Sequence, residues 1–337
     1  MRSWQKLTKL IEFRNYSMGF KNEDGEVLNL LDNISFDVKE KTAVGIVGES
    51  GCGKSMTSLS IMGLLPPSVV IQGGQILYKG VDLLQKTETE MQDFRGKEIA
   101  MIFQEPMTAL NPVHTIGFQI GEALRTHYPD ISKNEVQNAV IEQLRAVDIP
   151  NPEARARQYP HQFSGGMRQR AMIAMALICQ PKLLIADEAT TALDVTIQAQ
   201  VLDLMERLKD AGSLMVVTHN LGVVAELCDE VVVMYAGRIV EKGSLKSILE
   251  NPKHPYTQGL MAAIPSLNTG NKKLYTIPGS VPTIDNFEKG CRFAPRCEHC
   301  LSQCKNEVPP NKQVDENHYV QCWLFERKGL DHVQQGN

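Results

Sequence analysis

No apolar run in this chain approaches the roughly 18 residues needed to cross a bilayer. Its start, MRSWQKLTKLIEFRN, has neither the continuous apolar core nor the small-residue cleavage site of a secretory signal. Both absences point to folding in the cytosol, with any membrane contact made through proteins embedded there. A basic excess is lacking too: 35 Lys and Arg stand against 39 Asp and Glu, a formal net charge of -4. Nucleic acid is therefore not expected as a main partner, because its usual footprint is a basic face. There is no internal repeat and no low-complexity tract. Cysteine is sparse over most of the length, with Cys52, Cys179 and Cys228 scattered, and then crowds at Cys291, Cys297, Cys300, Cys304 and Cys322. A reducing cytosol disfavours structural disulfides, so this cluster points to a metal.

What is present is an ordinary globular composition, 42% hydrophobic and 22% charged, over 337 residues. That length suits one large domain and a smaller one. LIEFRNYSM and NISFDVKE read as strands joined by the turn NEDGE, with Ile34, Phe36 and Val38 alternating. TAVGIVG is a short buried strand running into glycines. KSMTSLSIMGLL follows at helical spacing and is expected to stop at Pro66 and Pro67. QILYKG, EIAMIFQ, KLLIADE and SLMVVTH are further strands, and EVVVMYAGRIVEKG is a hairpin turning at Ala236 and Gly237. Helices are expected at KNEVQNAVIEQLRAV, FSGGMRQRAMIAMALI and TIQAQVLDLMERLKDAG. Strands alternating with helices predict an α/β fold with a mainly parallel sheet. A helical insertion lies at about 107–162. The pattern breaks near 251, where NPKHPYTQG and IPGSVPTIDN are rich in Pro, Gly and polar residues. The expected division is therefore 1–250 and a short extension, 251–337.

GESGCGKS, Gly48 to Ser55, fits G-x-x-x-x-G-K-[ST] between a predicted strand and a predicted helix. Its glycines let backbone N–H groups turn inward around phosphate oxygens. The candidate nucleotide-binding residues are Gly48, Ser50, Gly51, Cys52, Gly53, Lys54, Ser55 and Met56. Lys54 brings positive charge to the β- and γ-phosphates, and Ser55 brings a hydroxyl for Mg²⁺. The Cys52 thiol is expected to point away from the nucleotide. At the end of LLIADE, Asp187 is placed to hold Mg²⁺ through water and Glu188 to activate the attacking water. Ser164, Gly165 and Gly166 open a helix and offer a second anion site.

With these motifs in this order, residues 10–250 resemble the ATP-binding-cassette (ABC) family. The resemblance implies a P-loop nucleotide-binding domain with a parallel-sheet core, an antiparallel β subdomain and an α-helical subdomain. Phe163-Ser-Gly-Gly-Met167 resembles the family signature L-S-G-G-Q, with Met in place of Gln. By the same resemblance, Gln104 in IFQEP is the Q-loop residue that contacts Mg²⁺, and Asp194 in TALD belongs to the D-loop. His219 in VVTH is the switch histidine that contacts the γ-phosphate. Phe20 is the candidate ring against adenine, with Tyr16 the alternative. One phosphate loop and one signature make two half-sites, so the family architecture implies a second cassette and ATP bound between the two.

NPKHPYTQGLMAAIPSL, 251–267, resembles the segment that follows the cassette in ATPases of dipeptide and oligopeptide importers. Nickel importers share it. This implies peptide import powered by two different ATPases on the cytosolic face of the membrane, with two permeases and an external binding protein. A nickel or glutathione importer ATPase and a soluble non-transport ABC ATPase are the alternatives. Read from residues alone, the cysteine cluster admits zinc, for which Cys297-x₂-Cys300 has a usual spacing, or an iron–sulfur cluster. The resemblance implies [4Fe–4S] on Cys291, Cys297, Cys304 and Cys322, with Cys300 spare or a substitute.

Overall fold

The computed structural model describes residues 8–103, 109–189, 195–209, 212–263 and 275–326. Strands β1 (Lys9–Lys21) and β2 (Val27–Lys39) pair antiparallel and carry Ile34, Phe36 and Val38 inward, as their alternation predicts. β3 (Ala43–Val47) leaves for a second sheet. β4 (Val69–Tyr78) and β5 (Val81–Asp82) complete the first, in the order β2-β1-β4-β5.

The second sheet adds β6 (Ile99–Ile102), β7 (Leu183–Asp187), β8 (Ser213–Thr218), β9 (Glu230–Tyr235) and β10 (Arg238–Ser244). It ends with β11 (Asn311–Asp315) and β12 (His318–Gln321). The order is β11-β12-β10-β9-β3-β8-β7-β6. From β9 to β6 all pairings are parallel, while β10, β12 and β11 continue antiparallel. β3, β7 and β8 are buried along their whole length, as a parallel sheet covered on both faces requires.

The period of two splits these strands between two cores. Ala43, Val47, Leu184, Ala186, Leu214 and Val216 face one core. Val44, Ile46, Leu183, Ile185, Met215 and Val217 face the other, with Phe13, Ile34 and Phe36 of the antiparallel sheet. Helix α1 (Lys54–Met62) adds Ile61 and Met62 to the second core. Gly63 caps α1 in the left-handed conformation, so the helix ends at Met62, three residues short of the Leu65 that precedes Pro66.

Helix α2 (Glu88–Phe94) precedes β6. Helices α3 (Ile116–His127), α4 (Lys133–Ala146) and α5 (Pro152–Arg155) build the predicted insertion, and α6 (Gly165–Leu177) packs against α3 and α4. Ser132 and Glu135 form a reciprocal capping box that fixes the start of α4. α7 (Val195–Lys209), α8 (Leu221–Leu227) and α9 (Leu245–Glu250) follow. Among the described residues no helix is long and apolar enough to cross a membrane.

Beyond 251 the proline-rich text hides a helix, α10 (Pro255–Ala262), with Pro255 at its first turn and His254 as N-cap. Proline is tolerated there because that N–H has no helical partner. This part of the chain has little core of its own. Phe293 packs instead against Tyr235 of β9 and Tyr256 of α10, with ring centroids 5.1 and 5.4 Å away. Glu241 of β10, fully buried, accepts from the His318 ring at 2.7 Å and from the backbone N–H of Lys253 and His254 at 2.7 and 2.8 Å. The extension is thus joined to the large sheet by strand pairing, aromatic packing and one buried carboxylate.

Candidate active site

The end of β3 runs straight into Gly48 and the N-terminus of α1. A side chain at 48 would put its Cβ 2.2 Å from the Met234 carbonyl oxygen and 2.8 Å from the Cys52 sulfur, so only glycine fits. Cys52 is fully buried beneath the loop, and burial pushes its thiol pKa up. It faces the core, as expected. The Lys54 ammonium donates to the Gly48 and Glu49 carbonyls at 2.8 and 3.1 Å. This curls the loop around a buried positive charge at a helix N-terminus, an arrangement suited to anions. The Glu49 N–H donates to the Tyr256 hydroxyl at 2.8 Å, tying the loop to α10.

Asp187 ends β7, nearly buried, and its Oδ1 accepts from the Ser55 hydroxyl at 3.2 Å. Burial pushes this carboxyl up to about 6; Ser55 opposes the shift and the Glu188 charge adds to it. Glu188 adopts φ 47°, strained for a side chain of this size. Its N–H donates to the Val217 carbonyl of β8 at 2.8 Å, which holds the turn. Its Oε1 stands 3.2 Å from Nδ1 of the exposed His219. Glu188 lines a cavity of about 260 Å³ together with Leu30, Ser50, Gly51, Gly53, Lys54, Ser55 and Met56. Ser55 and Asp187, and Glu188 and His219, far apart in sequence, therefore meet in pairs beside this cavity.

Other predicted residues lie elsewhere. Ser164 caps α6, its hydroxyl accepting from the Met167 N–H at 3.3 Å. Ser164 and Gly165 are exposed, nothing lies within 4 Å of a Cβ built on Gly165, and neither they nor Gly166 line the cavity. Tyr16 is a core residue: it is fully buried and its hydroxyl donates to Ser60 at 3.1 Å, which removes it as the adenine ring. Phe20 is half-buried on β1 and does not line the cavity. Gln104 and Asp194 lie outside the described residues. Two residues that motif reading passed over belong to the neighbourhood. Leu30 of β2 lines the cavity. Gln169 of α6, buried, donates to the Ala189 carbonyl at 2.7 Å and links that helix to the turn after Glu188. Neither carries a local signal, since each is defined by a partner distant in the chain.

The eight cysteines are unpaired. Burial above all pushes Cys322 up to about 12, with smaller contributions from Cys291, Cys297 and Cys304. Burial likewise pushes Cys291 up to about 11, and Cys304 and Cys297 add to it. Burial likewise raises the Cys297 and Cys300 thiols, and Cys300 adds to the shift of Cys297. Among the described residues no group of three or more His, Cys, Asp or Glu stands at metal-binding spacing.

Comparison with known proteins agrees with this geometry. Residues 31–191 match the family model described as ABC transporter, and 240–304 match that of the oligopeptide/dipeptide transporter C-terminal region. The dipeptide transport ATP-binding protein of Bacillus subtilis is 46% identical over 334 residues, covering 98% of this chain and 99% of its own length. The oligopeptide transport ATP-binding protein OppD of the same organism is 49% identical over 324 residues, covering 95% of this chain and 90% of its own length. A solved ATP-binding cassette, a dimer in a post-hydrolysis state bound to ADP and Pi, superposes with a TM-score of 0.63 at 25% identity. It covers 70% of this chain and 98% of its own.

Proposed function

This chain belongs to the ABC transporter family, among the ATP-binding proteins of dipeptide and oligopeptide transport, and from that premise we propose that it hydrolyses ATP at the cavity beside α1 to drive peptide import. The backbone of Gly48 to Met56 and the Lys54 ammonium receive the phosphates. Lys54 exchanges its carbonyl contacts for phosphate oxygens as they enter. Ser55 and Asp187, hard oxygen donors 3.2 Å apart, are suited to Mg²⁺, with Gln104 joining them. Ser55 and Asp187 would hold Mg²⁺ there, and the cation would supply positive charge to offset that of the phosphates. Glu188 takes the proton of the attacking water, and His219, 3.2 Å away, orients that carboxylate and contacts the γ-phosphate. Phe20 packs on adenine, joined by Leu30.

The observation that carries this reading is a separation. The phosphate loop and Glu188 line one cavity, with Asp187 bonded to Ser55 of that loop, while Ser164 and Gly165 stand exposed and Gly166 half-buried at a helix tip outside it. Each molecule therefore holds two halves of different sites. A second cassette supplies the facing halves, with Asp194 at the junction, and ATP shifts the pair toward the closed state because only that state makes both sets of contacts. The chain works on the cytoplasmic face of the membrane, bound to two permeases that receive cargo from an external binding protein. Residues 1–250 form the cassette and 251–337 the extension.

In the extension, Cys291, Cys297, Cys304 and Cys322 would hold a [4Fe–4S] cluster, with Cys300 spare or a substitute for one of them. Five soft donors crowded into 291–322 support this; no three of them stand at metal-binding spacing, so the sulfurs would have to draw together on loading, linking metal binding to local folding. Zinc is the second reading, favoured by the Cys297-x₂-Cys300 spacing. Iron, sulfide and zinc assays on anaerobically purified protein separate the two. For the ATPase, Glu188→Gln should bind ATP normally and lose at least about a hundredfold in hydrolysis. Normal turnover by that variant would remove Glu188 as the base.

A further inference from the structure

Glu49 sits second in the phosphate loop, where a carboxylate opposes the loop's task of holding a polyanion. Every polar group it has is engaged. Its carbonyl accepts from Lys54 at 3.1 Å and from the Cys52 N–H at 3.3 Å, and its N–H donates to Tyr256. Its carboxylate receives both terminal nitrogens of Arg296, at 2.5 and 3.1 Å. This is a bidentate pair, the strongest geometry available to the two groups. The Arg296 side chain is only 5% exposed, against 31% for that of Glu49. It is held in turn by the Pro278 and Ile277 carbonyls at 2.8 and 3.3 Å and by the Tyr235 hydroxyl at 3.4 Å. It is a pre-organised cation brought to the phosphate loop from 247 residues away.

The same short loop, 291–297, makes a second contact with the cavity wall. Arg292 donates to the Leu30 carbonyl at 3.0 Å, to the Asn29 carbonyl at 3.3 Å and to the Ala236 carbonyl. Leu30 lines the cavity. Two arginines flanked by Cys291 and Cys297 thus hold one edge of the cavity wall and the carboxylate of its phosphate loop.

We propose that Arg296 is a positioning residue for the ATPase: by pairing with Glu49 it cancels the one carboxylate built into the phosphate loop and fixes that loop, so that nucleotide affinity depends on the seating of the cysteine-bearing loop 291–297. The proposal rests on the assignment of this cavity to ATP. Its effect falls on binding more than on turnover, because Arg296 reaches neither Glu188 nor His219.

The test is titration with Mg²⁺ and the fluorescent N-methylanthraniloyl derivative of ATP, together with steady-state hydrolysis. Arg296→Ala leaves the Glu49 charge unpaired and should raise Kd about tenfold, with kcat at saturating ATP within about twofold of the parent. Arg296→Lys should recover part of the loss, because it restores the charge without the fork. Glu49→Gln removes the charge itself and should raise Kd by less than about threefold. Adding it to Arg296→Ala should restore most of the affinity. A merely structural role would make Glu49→Gln and Arg296→Ala equally harmful and the double variant no better, and that pattern overturns the proposal. Unchanged affinity in Arg296→Ala, with Lys54→Ala unable to bind, overturns it while leaving the ATP site in place. Normal binding by Lys54→Ala removes the ATP site itself. Should Arg296→Ala fail to fold, the comparison of Glu49→Gln with Arg296→Lys carries the test, the proposal requiring the lysine variant to bind more weakly.

Discussion

Asp187 is a costly residue in the empty protein, and replacing it with Asn should reveal how costly. Burial raises its carboxyl from an ordinary 3.8 to about 6. A carboxyl whose pKa is raised by folding stabilises the fold relative to its ionised form only while protonated. That contribution is complete below about pH 4 and is lost as pH rises through about 6. Integrated over the two titrations, the penalty is about 1.5 kcal/mol at pH 5 and about 3 kcal/mol at pH 8. Asn carries no charge at either pH, and its carbonyl can keep the bond from Ser55 that Asp187 accepts at 3.2 Å. Asp187→Asn should therefore be more stable than the parent without nucleotide, and the gap should widen with pH. At about 2 °C per kcal/mol for a chain of this size, the difference in Tm grows from about 3 °C at pH 5 to about 6 °C at pH 8. Differential scanning fluorimetry in matched buffers measures it. With MgATP the advantage should shrink or reverse, because the cation stabilises the ionised parent. A gap that does not change with pH, or a variant less stable than the parent at pH 8, refutes the reasoning.

Three further outcomes follow from named contacts. His318→Ala strands the buried Glu241 carboxylate with only backbone donors, and should cost about 3–5 kcal/mol and speed proteolysis beyond residue 251. Gly237→Ala should fail to fold or lose more than about 4 kcal/mol by denaturant titration. Its φ is 80° and an added Cβ would lie 1.6 Å from the Leu30 carbonyl oxygen. Gln169→Leu removes the donor to the Ala189 carbonyl and leaves that buried oxygen short of a partner. It should cost about 1–3 kcal/mol and lower hydrolysis more than ATP binding, measured by titration beside steady-state rates.

The parts of this molecule legible in its sequence are those in which a local rule fixes a local shape. Gly48, Lys54 and Ser55 are constrained by one turn between a strand and a helix. β3, β7 and β8 announce themselves as unbroken apolar runs because both sheet faces are covered. The hidden parts are set by partners far away in the chain. Pro255 reads as a breaker until the helix that starts there is seen. The strands at 311–321 are short and polar on one face, so they become strands by pairing, β12 with β10 and β11 with β12, rather than by pattern. Glu49 passes as an unremarked x in the motif, because Arg296 is separated from it by most of the chain. Leu30 carries no motif of its own; the register of β2 in its sheet brings it to the cavity wall.

ATP clasped between two molecules is the central claim about how this protein works. Sedimentation velocity on the Glu188→Gln variant, mixed with its companion ATPase, measures this directly. MgATP should produce a complex of one copy of each that dissolves when nucleotide is removed. Ser164→Arg should abolish the complex while each chain still binds nucleotide. Full nucleotide binding without assembly, or assembly indifferent to Ser164→Arg, would contradict it.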